Sequence, residues 1–171
     1  MNFLELIKKR HSVRDFKKEP VPEELLRQIL EAGRLAPTGA NKQPQRLIVV
    51  REKIGLEKIK KAANAYHAPL VIIVCADHNT VWKRPYDGKK ITDIDTSIVT
   101  DHMMLQATEL GLGSVWICYF KPDVIKSEFN LPNHIEPVNI LAIGYENELL
   151  GILKPRTSRK PLEATVFYET F

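Results

Sequence analysis

The chain predicts one domain in which helices cover both faces of a single sheet. Three observations lead there. Two helical stretches open the sequence, and strand and helix patterns alternate after them. Residues 70–76, LVIIVCA, are continuously apolar, as a strand buried on both faces must be. Residues 93–110 are apolar around much of the helical circumference, which describes a central buried helix. The 171 residues sit near the usual domain size of about 150, enough to bury about 70% of the unfolded surface without a disulfide framework.

Phe3, Leu6, Ile7 and Arg10 fall at helical spacing over residues 2–10, with Asn2 and Glu5 placed as a capping box. That helix stops near His11. A second helix fits residues 22–36, with Pro22 in its first turn, an apolar stripe of Leu25, Leu26, Ile29 and Leu30, and Pro37 blocking continuation. The stretch PTGANKQP is a polar loop. Residues 47–50 make a short strand and 52–64 a helix. After the buried strand, residues 77–90 are the least regular part of the chain and read as a long functional loop. The central helix ends at a Gly111 cap, residues 114–120 form a third strand, 122–129 a short helix and 138–145 a fourth strand. The tail ends in the apolar VFYETF, which needs a cover such as a second subunit.

Apolar residues at 44% and charged residues at 27% exclude a disordered chain, a collagen-like chain and a coiled-coil rod. No run approaches the roughly 18 apolar residues of a membrane span, and the amino terminus lacks the order of a secretory signal. A cytoplasmic location is expected. Cys75 and Cys118 lie apart within apolar runs and are expected to be buried free thiols. The net charge of +4, from 25 basic and 21 acidic residues, gathers in residues 8–18, KKRHSVRDFKK. Such a cluster fits a solvated face, a bound phosphate, nucleic acid or an acidic membrane.

The sequence has no phosphate-loop, nucleophile-elbow or zinc-helix motif. Gly111-Leu112-Gly113 follows a helix and precedes a strand, so it reads as cap and turn instead of a dinucleotide fingerprint. His78 and His102 each follow an aspartate, but no third ligand has a metal-site spacing, and no metal is expected. The informative segment is Arg10-His11-Ser12-Val13-Arg14. In an extended chain, Arg10, Ser12 and Arg14 share one side, and two guanidinium forks with a hydroxyl suit a terminal phosphate. A solvated basic turn is the plain alternative.

RHSVRDF, APTGANKQPQ and ELGLGSVWI, in that order, with the late IGY and the RKPLE tail, resemble the nitroreductase family, in its small FMN-dependent type. The resemblance runs across nearly the whole chain. It implies an α+β three-layer α/β/α sandwich with a central mixed sheet, not the parallel doubly wound sheet that alternation alone predicts. It also implies one domain over residues 1–171 and an intertwined homodimer, with an arm of about 152–171 laid on the partner. Arg10 and Ser12 would hold the FMN phosphate or ribityl chain, with His11 in the same segment. Arg14 would approach the N1–O2 edge of the ring, where a cation stabilises developing negative charge. Pro37, Thr38, Gly39 and Asn41, completed by Gln43 and Pro44, match the loop that meets the partner's flavin. Ile117, Cys118 and Tyr119 match the strand end beside the ring, where larger members carry a glutamate at the Cys118 position. Arg156 and Arg159 match the basic tail that returns to the phosphate, and Trp82 and Tyr86 lie where members cover the substrate face.

The implied activity is hydride transfer from NAD(P)H through flavin N5 to a nitroaromatic, quinone or related conjugated small-molecule acceptor, by a ping-pong mechanism. The protein supplies no acid or base of its own; orientation and electrostatics do most of the work. A flavoprotein of the same fold with another reaction, reductive dehalogenation or dehydrogenation, remains an alternative. A small nucleic-acid module resting on residues 8–18 is another, but it lacks interleaved aromatics.

Overall fold

The computed structural model describes residues 1–147 and 158–171. In chain order the elements are α1 (Phe3–Lys9), α2 (Glu23–Leu35), β1 (Gln45–Val50), α3 (Lys53–Ala62), β2 (Leu70–Asp77), α4 (Thr92–Glu109), β3 (Gly113–Ile117), α5 (Pro122–Glu128) and β4 (Ile135–Gly144). Short 3-10 turns occupy Gly39–Asn41 and Leu162–Ala164. Among the described residues, no helix is long and apolar enough to cross a membrane.

The local rules act as the sequence predicts. Asn2 accepts the Glu5 N–H at 2.9 Å while the Glu5 carboxylate accepts the Asn2 N–H at 3.0 Å, so the capping box closes both ways. The end of α4 is a Schellman turn: the Leu112 N–H donates to Ala107 at 2.9 Å and the Gly111 N–H to Thr108 at 3.1 Å. All eight residues of β2 are buried. Val71, Ile73 and Cys75 face a core with Ile59 of α3 and Ile125 of α5, while Leu70, Ile72 and Val74 face one with Ile29 of α2 and Val99 and Met103 of α4. These are the three expected layers.

The sheet runs β1-β2-β4-β3, and every ladder between these strands is antiparallel. Among the described residues the parallel sheet that alternation predicts does not form, and the parallel share of the expected mixed sheet comes to one bridge, Ser12 to Ser114. The reason is where each helical connection returns. Val50 at the end of β1 pairs with Val71 at the start of β2, so α3 and its return loop bring the chain back to the end it left. Beyond the reach of β3, a bulge lies where Val74 pairs with Asn139 but Cys75 pairs with Pro137.

Cys75 is buried, and burial pushes its thiol up to about 12. Cys118 is exposed, contrary to expectation. The apolar run SVWICYF outlasts the ladder, since β3 ends at Ile117. Ile73→Ala should cost about 2–5 kcal/mol in urea unfolding because the cavity lies in the innermost strand. Ile54→Ala, on α3 at 77% exposure, should stay within about 0.5 kcal/mol.

Candidate functional site

The chain leaves α1 because Arg10 turns extended, at φ −60° and ψ 126°. It then runs along the free edge of β3. Ser12 bridges Ser114, and the Val13 N–H donates to the Ser114 carbonyl at 3.0 Å. Val13 and Phe16 are the anchors, 2% and 3% exposed. The Val13 side chain lies on Gly113, with Cγ2 2.6 Å from where a Cβ would stand, so only glycine admits this contact unshifted. Further along, Phe16 bridges Glu146 and the Lys17 N–H donates to the Tyr145 carbonyl at 2.8 Å. The His11 ring reaches the Lys9 carbonyl through Nδ1 at 3.1 Å and the Glu146 carboxylate through Nε2 at 3.0 Å. His11 and Val13 thus face the body, which leaves Arg10, Ser12 and Arg14 on the outward side.

Five other arginines each meet a carboxylate: Arg27 and Arg51 with Glu23, Arg34 with Glu31, Arg46 with Asp77, and Arg84 with Asp87. Among the described residues Arg10 and Arg14 meet none. The contact of Arg14 is a 3.5 Å approach of Nη1 to the Ser12 carbonyl. Two guanidinium groups that meet no carboxylate among the described residues, beside a hydroxyl, are a donor set suited to a dianion, so these residues fit the phosphate of a flavin mononucleotide. On the same strand, Ser114 Oγ and Trp116 Nε1 are buried without partners.

Four residues beyond Ser114, Cys118 leaves the ladder exposed, and Tyr119 is 96% exposed. Ile117 instead belongs to the core. Ser12, bridged to Ser114, and Cys118, just past the end of β3, therefore stand along the same strand, roughly 13 Å apart.

The polar loop stands elsewhere. Ala40, Asn41 and Gln43 all have positive φ, at 47°, 53° and 50°. Non-glycine residues there store strain, and three of them fall within four positions. The Thr38 hydroxyl accepts the Gln43 N–H at 3.0 Å, and the Thr38 carbonyl the Asn41 N–H at 2.9 Å. Gly39 donates its N–H to Asp95 Oδ1 at 2.9 Å. Pro37, Asn41 and Gln43 are exposed, and Pro44 is buried. This turn touches the first turn of α4 and feeds β1, whereas the arginine segment lies on β3, after the far end of α4. The two groups are separated by the length of α4, roughly 27 Å, and by the three strand spacings from β1 to β3, roughly 14 Å.

Trp82 is half-buried, with its Cβ beside Gly39, while Tyr86 is 97% exposed. Arg159 donates to the Ser158 carbonyl at 3.0 Å, and Arg156 lies outside the described residues. His102 Nδ1 meets the Ile98 carbonyl at 3.0 Å. Sequence reasoning missed a cluster in which His78 contacts Glu136 through Nε2 at 2.5 Å and Lys90 through Nδ1 at 3.1 Å. It also missed Asp95, whose only sequence mark is an acid in a helix's first turn, where the dipole alone would explain it. A cleft of about 580 Å³ at the opposite end of β2, lined by Lys18, Val21, Arg51 and Lys60, holds none of the residues named for the cofactor.

A family model described as the nitroreductase family matches residues 7–65 and 55–145. A Methanothermobacter thermautotrophicus protein, provisionally named NADH dehydrogenase/NAD(P)H nitroreductase, is 36% identical over 159 residues, covering 88% of this chain and 81% of its own. The crystal structure of a nitroreductase family protein from Clostridium difficile 630 is 57% identical over 100% of both chains, with a TM-score of 0.93. That of an FMN-dependent nitroreductase from Clostridium difficile R20291 is 28% identical, with a TM-score of 0.81 over 99% of this chain and 100% of that one. With the arginine edge, the strained turn and the three-layer sandwich all in this setting, the chain belongs to the nitroreductase family.

Proposed function

We infer that the chain is an FMN-dependent NAD(P)H oxidoreductase that reduces a nitroaromatic, a quinone or a similar conjugated acceptor in a ping-pong cycle. The observation that carries this reading is the pair of guanidinium groups, Arg10 and Arg14, that meet no carboxylate among the described residues and flank Ser12, which is bridged to β3. When bound, FMN supplies the hydride-accepting and hydride-donating chemistry. Arg10 and Ser12 bind its phosphate end, and His11 holds their segment to the body through Glu146. Arg14 places positive charge at the pyrimidine edge of the ring, where negative charge builds on reduction. Cys118 and Tyr119, standing clear of the ladder, border the ring, with no carboxylate at that point.

The active form in this reading is a homodimer of single-domain subunits, each covering residues 1–171. The turn containing Thr38, Gly39, Asn41 and Gln43 is too far from the arginine edge of its own chain to share its flavin, so it serves the partner's. Two surfaces suit such an interface. Helix α1 buries none of its residues, with Phe3 64% and Leu4 63% exposed. Residues 158–171 are all exposed, with Phe167 and Phe171 stacked at 4.3 Å. That segment, part of an arm over about 152–171, lies on the partner and brings Arg159, with Arg156, toward its phosphate. Trp82 and Tyr86 stand over the acceptor. The site of the reaction is cytoplasmic.

Purified protein should carry FMN that bleaches on anaerobic titration with NADH or NADPH and recovers on adding a quinone or nitroaromatic. A colourless chain that takes up no added FMN would sink this reading. Arg10→Ala and Arg14→Ala should each weaken FMN binding about 10- to 100-fold, as loss of a charge-assisted hydrogen bond implies, while circular dichroism stays native. Phe3→Asp combined with Ile7→Asp should shift sedimentation from dimer toward monomer and lower flavin content in parallel.

A further inference from the structure

Asp95 stands in the first turn of α4, a place where an acid usually faces solvent at the positive end of the helix. Here it is 1% exposed. Oδ1 accepts the Gly39 N–H at 2.9 Å, and Oδ2 is buried with no partner. Burial pushes the carboxyl upward from the usual aspartate range, and the Gly39 N–H opposes that push. A buried carboxylate with one donor costs free energy that an alanine would not.

What the carboxylate gains for the fold is the location of a turn. Within the turn, the Asn41, Lys42 and Gln43 N–H groups donate to Thr38 or Gly39, and these bonds shape it without fixing it to the body. The next ties to the body come at Gln43, whose carbonyl accepts from Arg46 at 3.2 Å, and at Pro44, whose carbonyl accepts the Asp77 N–H at 2.8 Å. Gly39 is held from two sides. Asp95 bonds it from α4, and a Cβ there would stand 2.3 Å from Ile91 Cδ1 and 3.2 Å from Trp82 Cβ. The left-handed run begins at the next residue.

We propose that Asp95 is a positioning residue of the flavin site: through the Gly39 N–H it sets where the strained turn stands, and hence where Thr38, Gly39 and Asn41 meet the flavin of the partner subunit. This rests on the reading of that turn given above. Trp82 stands beside the same glycine, so the acceptor-facing segment and the flavin-facing turn meet at Gly39.

Asp95→Ala leaves a buried N–H without an acceptor, whereas Asp95→Asn keeps an oxygen in its place. In the flavin-free protein, amide hydrogen exchange over residues 39–43 should rise at least about tenfold in Asp95→Ala and stay within about threefold of wild type in Asp95→Asn. FMN titrated into the full chain and followed by flavin fluorescence should bind about tenfold more weakly to Asp95→Ala, with affinity recovered in Asp95→Asn. The thermal midpoint of flavin-free Asp95→Ala should be no lower than wild type. Unchanged exchange, unchanged affinity despite a lowered midpoint, or an Asn variant as weak as Ala would each overturn the proposal. Wild-type protein that takes up no FMN would remove the flavin reading and the site with it; the exchange difference would then persist alone and identify that case.

Discussion

Burial of β2 on both faces is the constraint from which the rest of the molecule follows. Its eight residues leave no free face, and β1 and β4 occupy both its edges. A strand so enclosed has nothing to offer a ligand, and six consecutive buried residues of β4, 139–144, are little different. Polar chemistry is thereby driven outward, to the β3 edge and to the turns where strands begin and end. An exposed edge is ordinarily a hazard for pairing with other chains. Here an extended segment covers part of it and uses the same hydrogen bonds to aim its side chains.

The electrostatics follow the same division. Most arginines on this surface are neutralised locally, so the excess of basic over acidic residues is not a diffuse field. It gathers where packing, through Val13 and Phe16, has fixed the backbone that carries Arg10 and Arg14. Apolar anchors at Val13 and Phe16 thus hold in place the basic stretch that runs between and before them.

Much of this was legible in the residues. The capping box, the apolar run of β2 and the glycine-ended central helix are local patterns, each decided by chemistry within a few positions. Strand direction was not legible, because Ile54 and its neighbours look the same whether α3 crosses the sheet or returns to the end it left. The exposure of Cys118 was hidden for a related reason: hydrophobicity does not record where a ladder stops. Alternation placed Arg10, Ser12 and Arg14 on one side, but the absence of acidic partners among the described residues is a property of the fold. Asp95 was invisible in principle, since its importance lies in a bond to a residue 56 positions away.

Helix α1 has seven residues, and none is buried. A helix of that length has little stability of its own in water, whatever its cap. It packs on α4 yet leaves Phe3, Leu4 and Ile7 exposed, as Phe167, Tyr168 and Phe171 are near the other end of the chain. Exposed apolar side chains therefore stand near both ends of the described chain. An affinity tag or fusion partner attached at either terminus sits beside those side chains, so preparations should be compared only after such additions have been cleaved away.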